Sequence, residues 1–202
     1  SSPGTYTAKV RVEREGLTAE DTATISVATP QYTLSVSKTG SGTGTVTSSP
    51  SGINCGSDCS ESYNQGTTVT LTATPGSGSV FVGWSGACTG SSTTCTVTMN
   101  SNKSVTARFD AATLSVSLSA SPSSGTAPLN DVDLTANVSG TATGNITYRF
   151  DCTSNGTWEH TQTTLTDPYT ALNLCDYSSP GTYTAKVRVE REGLTAEDTA
   201  TI

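Results

Sequence analysis

The chain has 202 residues, 33% of them hydrophobic and 13% charged, with a formal net charge of −7. One large apolar core is beyond such a composition, and 29 Ser with 40 Thr favour strands and turns over helix. The acidic balance repels a phosphate backbone, so nucleic acid is not an expected partner; no apolar run approaches the roughly 20 residues that span a bilayer, and no signal-like segment opens the chain, so a soluble, already processed polypeptide without membrane insertion is expected.

The opening segment Ser1–Ile25, SSPGTYTAKVRVEREGLTAEDTATI, recurs unchanged at Ser178–Ile202. The period is the distance from Ser1 to Ser178, so positions 26 to 202 make one complete period preceded by the tail of an earlier copy. Identity that extends to surface charges such as Glu13/Glu190 and Glu15/Glu192 exceeds what a shared fold requires, and it implies recent duplication within a longer array. Tyr6, Ala8, Val10 and Val12 alternate as Tyr183, Ala185, Val187 and Val189 do, so both copies suit the final hairpin of a sandwich. Only one sandwich body, Ala112–Tyr177, accompanies them. Residues 1–25 are therefore expected to order against the body of a neighbouring copy, either upstream in one continuous chain or in another subunit by strand exchange, with contacts running head to tail.

Linker-like SVATPQ (Ser26–Gln31) and DAAT (Asp110–Thr113) delimit two all-β modules, 31–110 and 112–202. In the first, strands are expected where apolar and polar residues alternate: Tyr32/Leu34/Val36, Val69/Leu71/Ala73, Val97/Met99 and Val105/Ala107/Phe109, with Gly/Pro clusters between them. In the second, Leu114/Val116/Leu118, Val132/Leu134/Ala136/Val138, Ile146/Tyr148/Phe150 and Tyr183/Ala185/Val187/Val189 have the spacing of an antiparallel sandwich. Phe81 and Trp84 are the large residues that the small first core can bury, Gly83 and Gly86 allowing close packing; the alternative for Trp84 is stacking on a sugar.

Six cysteines allow 15 pairings. Local bracketing favours Cys55 with Cys59, Cys88 with Cys95 and Cys152 with Cys175, disulfides of an exported protein. A zinc site from the first four is the rival, but none has Cys-x-x-Cys spacing and the one histidine, His160, is distant in sequence.

The segments GTVTSSPSGINCGSDCSESYNQGTTVTLTATP, FVGWSGACTG, CTVTM and SVTARF, between Gln31 and Asp110, resemble the divergent internalin-type B-repeat family of bacterial surface proteins. That resemblance implies a β-rich module with a small grasp-like sheet, used in cell-surface arrays as a spacer or in adhesion. ASPSSGTAPLNDVDLTANVSG, YRFDCTSNGTW and YSSPGTYTAKVRVEREGLTAEDTATI, between Ala112 and Ile202, resemble the PKD domain, an immunoglobulin-like β-sandwich. In its middle motif Tyr148 stands where the family usually has Trp, and Cys152 and Asn155 interrupt the second half.

Chemistry is sparse. Asp131/Asp133, Asp151 and Glu197/Asp198 offer hard oxygens, and calcium is the one ion worth weighing, but no segment has the Asp-x-Asp-x-Asp-Gly loop, so no cofactor is expected. His160, beside Glu159 and Trp158, reads as an exposed loop histidine without a nucleophile near it, and no enzyme is expected. Four sequons, at Asn102, Asn137, Asn145 and Asn155, are readily produced by chance in so Thr-rich a chain. The expectation is a non-catalytic repeat unit of an extracellular or cell-surface stalk, fibre or filament. The alternative is an adhesin or carbohydrate-binding accessory region of a secreted enzyme, with a surface glycan as ligand, which requires aromatics exposed in a row.

Overall fold

The computed structural model describes residues 2–202; Ser1, the first residue of the expected 1–25 hairpin, lies outside the described residues. The chain is all-β: every regular element among those residues is a strand. They are β1 (Gly4–Arg14), β2 (Leu17–Val27), β3 (Gln31–Thr39), β4 (Gly44–Ser49), β5 (Ser60–Asn64), β6 (Thr68–Pro75), β7 (Ser79–Gly86) and β8 (Thr94–Thr98), then β9 (Lys103–Ala111), β10 (Leu114–Ser121), β11 (Leu129–Gly140), β12 (Ile146–Asp151), β13 (His160–Thr164), β14 (Tyr169–Tyr177), β15 (Thr184–Arg191) and β16 (Leu194–Thr201). The chain divides into two compact units, one running up to Lys38 and including Thr45–Ala73 and Gly83–Ala107, the other made of Thr39–Gly44, Thr74–Val82 and Arg108–Ile202.

Residues from Leu114 onward form a β-sandwich. A three-stranded sheet in the order β10-β11-β14 and a four-stranded sheet in the order β13-β12-β15-β16 supply one core. The alternating positions fill it: Val132, Leu134, Ala136 and Val138 from β11, Ile146, Tyr148 and Phe150 from β12, and Ala185, Val187 and Val189 from β15. Burying each larger aliphatic contributes about 1.5–3 kcal/mol. The Tyr148 ring stacks on Tyr169, centroids 5.2 Å apart, and its hydroxyl donates to the Thr166 carbonyl at 3.0 Å, so the polar tip of this core aromatic is satisfied. That burial pushes the phenol well above its usual pKa, with the neighbouring Asp167 charge acting in the same direction.

The segment from β3 to β9 forms two further antiparallel sheets, β5-β3-β9-β7 and β4-β6-β8. Leu34, Val46, Val69, Leu71, Met99, Val105, Ala107 and Phe109 are buried there, again at the alternating positions. Gly40 has φ +101°, and a Cβ on it would run into the Phe109 carbonyl oxygen, so this turn needs glycine for both its conformation and its closeness.

Two details differ from the pattern read in the sequence. The linkers are shorter: Ser26 and Val27 end β2, Gln31 opens β3, and Asp110 and Ala111 end β9, leaving only Ala28–Pro30 and Ala112–Thr113 outside strands. Antiparallel pairing carries the strands on, since Val27 sits opposite Gly4. In addition, β14 pairs with β11 through two register shifts, near Asp131 at φ +59° and Asn173 at φ +51°, residues that tolerate the left-handed region.

Candidate functional site

The six cysteines come together as Cys55–Cys59, Cys88–Cys95 and Cys152–Cys175, with Cα separations of 4.2, 6.3 and 5.7 Å. The third closes a sequence separation of 23 residues and ties β14 to the loop after β12. That loop is also pinned from inside by Asp151, which is only 1% exposed. Its Oδ1 accepts from the backbone N–H of Thr153 (3.1 Å) and Asn155 (3.2 Å), and its Oδ2 from that of Gly156 (2.7 Å). Glu159 accepts from Cys152 N–H at 2.8 Å, and the Tyr177 hydroxyl donates to the Cys152 carbonyl at 2.8 Å. These side chains hold the backbone around the buried Cys152, although residues 153–157 themselves are exposed.

Two of the other acidic residues weighed as ion ligands, Asp133 and Asp198, are engaged by backbone N–H groups in the same manner. Asp133 accepts from Asn173 N–H at 2.7 Å and Asp198 from Leu118 N–H at 2.8 Å, while Glu197 faces Lys186 at 2.8 Å. The Asp131 backbone N–H donates to Asp176 at 2.9 Å. Among the described residues, no three His, Cys, Asp or Glu side chains gather as a metal-binding group. His160 is not in a free loop: it opens β13, and its ring lies 5.8 Å from that of Tyr169, the two planes nearly parallel, with Nε2 2.7 Å from the Tyr169 hydroxyl. Its neighbour Tyr169 opens a strand that carries no clean alternation, which hid the pairing from sequence. Trp84 is 5% exposed and donates from Nε1 to the Ser92 carbonyl at 2.8 Å, which makes it a core residue with a satisfied polar edge. The sequon asparagines Asn102, Asn137, Asn145 and Asn155 are all exposed.

The duplicated segment appears twice in one conformation. β1–β2 and β15–β16 each turn on a Glu-Gly pair at positive φ, Glu15 at 50° and Gly16 at 80°, Glu192 at 50° and Gly193 at 79°, the geometry that a two-residue hairpin loop prefers. Lys9 lies opposite Thr22 as Lys186 lies opposite Thr199. The ion pair Lys9–Glu20 at 2.5 Å matches Lys186–Glu197 at 2.8 Å, and the Tyr6 hydroxyl bonds to the Ser2 carbonyl as the Tyr183 hydroxyl does to that of Ser179.

The C-terminal copy is integrated into the sandwich by a specific set of contacts. β15 pairs with β12, Arg188 opposite Arg149. The Thr143 backbone N–H and hydroxyl donate to the Glu192 carboxylate at 3.0 and 2.9 Å, holding it below the usual carboxylate range. The Arg191 guanidinium donates to the Gly144 carbonyl at 3.0 Å, the Ser154 hydroxyl to the Thr184 carbonyl at 2.9 Å, and the Tyr183 and Tyr177 ring centroids are 4.4 Å apart.

Residues 32–113 match the divergent InlB B-repeat domain. The B-repeat match begins one residue into β3 and runs through β9 to Thr113, so it takes in both of the sheets between Gln31 and Ala111 and two of the three disulfides. No curated protein and no solved structure matches the chain.

Proposed function

We propose that this chain is a non-catalytic structural unit of an extracellular stalk, fibre or surface filament, in which B-repeat and PKD-like sandwich modules alternate head to tail. The observation that carries the reading is the segment Ser1–Ile25 repeated without change at Ser178–Ile202, its hairpin strands paired in the same register at both positions. The B-repeat match to residues 32–113 supports a surface-related repeat module, and three disulfides suit an oxidising, extracellular setting. Small modules of this kind have limited cores, and a local crosslink in each holds loops that packing alone would leave loose. A glycan-binding reading calls for a row of exposed aromatics, whereas Trp84, Phe109, Tyr148 and Phe150 are buried. Negative-stain microscopy of a polypeptide with several periods tests the proposal: rods or filaments that lengthen with the number of periods are expected, and isolated compact particles would overturn it.

A further inference from the structure

The two hairpins share sequence and conformation but not surroundings. In the C-terminal copy Ala185, Val187 and Val189 are fully buried against the sandwich core. At the equivalent places in the N-terminal copy, Val10 and Val12 are 57% and 60% exposed, and Tyr6 and Ile25 are 43% and 52% exposed. Every residue of β1 is exposed, although its alternation is that of a strand with one face in a core. A two-stranded hairpin with an uncovered apolar face is marginal in water. What covers such a face is shown by its own duplicate: the body formed by β10, β11, β12 and β14.

We propose that the β1–β2 hairpin docks into the sandwich body of a second, preceding copy of this chain, filling there the slot that β15–β16 fill in their own. This rests on the array reading above and adds the surface and register by which copies join. Subtracting the period maps each observed contact onto the joint. β1 lies beside β12 of the second copy with Arg11 opposite its Arg149, because Arg188 pairs there now. Thr143 of that copy donates to Glu15, its Gly144 carbonyl accepts from Arg14, its Leu118 N–H donates to Asp21, and its Ser154 hydroxyl donates to the Thr7 carbonyl, as their counterparts do at Glu192, Arg191, Asp198 and Thr184. Asp21 at present accepts only from the adjacent Thr22 N–H among the hydrogen bonds described, leaving its second oxygen free for this role.

The stoichiometry of elements sets the direction. Each chain has two copies of the hairpin and, among the described residues, one body, so a slot opens only in a copy not already filled by its own residues 178–202. In a continuous head-to-tail array, residues 178–202 of one copy are residues 1–25 of the next, and every body receives one hairpin. The joint is heterologous, so each copy gives its hairpin to one neighbour and offers its body to another.

The test uses the full chain and opens the slot. Val187→Asp places a charge at a core position of the C-terminal hairpin and leaves the N-terminal hairpin intact. The expected result is a shift in mass from one chain to two or more by light scattering, with amides of residues 7–25 exchanging at least 100-fold more slowly than in the Val10→Asp/Val187→Asp double variant, which loses both effects. Val187→Thr, nearly isosteric, gives the same readouts in weaker form and covers the case in which the aspartate prevents folding. Equal exchange in the single and double variants for both substitutions would overturn the inference, as would slowed exchange in a species of one chain, which places the hairpin on its own body. If docking fails while multi-period polypeptides still form rods, only this inference falls; compact multi-period particles remove the array reading whatever the Val187 variants do.

Discussion

One valine in two places provides an internal control that few proteins offer. Val10 and Val187 have the same neighbours in sequence, the same strand register and the same hairpin turn, but one is 57% exposed and the other fully buried. Val187→Ala removes two buried carbons at about 0.8 kcal/mol each, and with a cavity left among Phe150, Leu134 and their neighbours the loss comes to about 2 kcal/mol, roughly 30-fold in the unfolding equilibrium. Val10→Ala in the isolated chain removes little that is shielded from water and should change stability by less than about 0.5 kcal/mol. Urea titration at low protein concentration, with hydrogen exchange of β12 as the site-specific probe, separates unfolding of the sandwich from that of the rest of the chain. Equal losses at the two positions, or a loss below about 0.5 kcal/mol at Val187, would refute the argument that the two copies differ only in what covers them.

Replacing Cys152 and Cys175 together by serine should cost about 3 kcal/mol, the loop-entropy value for two dozen residues, measured by denaturant unfolding, and alkylation before reduction should find no free thiol. Asp151→Ala removes the buried acceptor of three backbone N–H groups in an exposed loop and should destabilise the sandwich by about 1–2 kcal/mol, with Asp151→Asn recovering part of that loss. The Glu192 carboxyl lies below its ordinary pKa because Thr143 donates to its charged form, so its contribution is complete above about pH 4.3 and is lost as pH falls through the lower, folded-state value. Glu192→Gln should therefore flatten the acid limb of a stability-against-pH curve by lowering the neutral plateau, with little change at low pH, where the protonated glutamate and glutamine are nearly equivalent; an unaltered acid limb would contradict the assignment.

Much of the sandwich is legible in sequence because β11, β12 and β15 each bury one face, so alternation of Val, Leu, Ile, Tyr and Phe reports strand and core together. The edge strand β13 could not be read that way: HTQTT carries no aliphatic or aromatic hydrocarbon side chain, and the strand exists because its backbone pairs with β12 from Ile146 opposite Thr164 to Phe150 opposite His160. β14 was obscured for another reason, since its two register shifts against β11 break the period, placing Leu172 in solvent while Ala171 and Cys175 are buried. The short strands β4 and β5 each bury a single large apolar side chain, Val46 and Tyr63, too few to make a pattern. The surface proposed to join copies was legible for a different reason. Exact repetition of Ser1–Ile25 at Ser178–Ile202 marks the hairpin, the single body Ala112–Tyr177 leaves one copy over, and the structure adds how exposed the apolar positions of β1 are.

Small-angle scattering on polypeptides of one, two and three periods tests whether the repeats build an extended array. Short connections, Ala28–Pro30 and Ala112–Thr113, leave few free residues between strands, and a structural array built on them should extend as it grows. The maximum dimension is expected to rise by a constant increment for each added period. A maximum dimension that grows only as the cube root of mass, as for modules folded back into a compact particle, would contradict it.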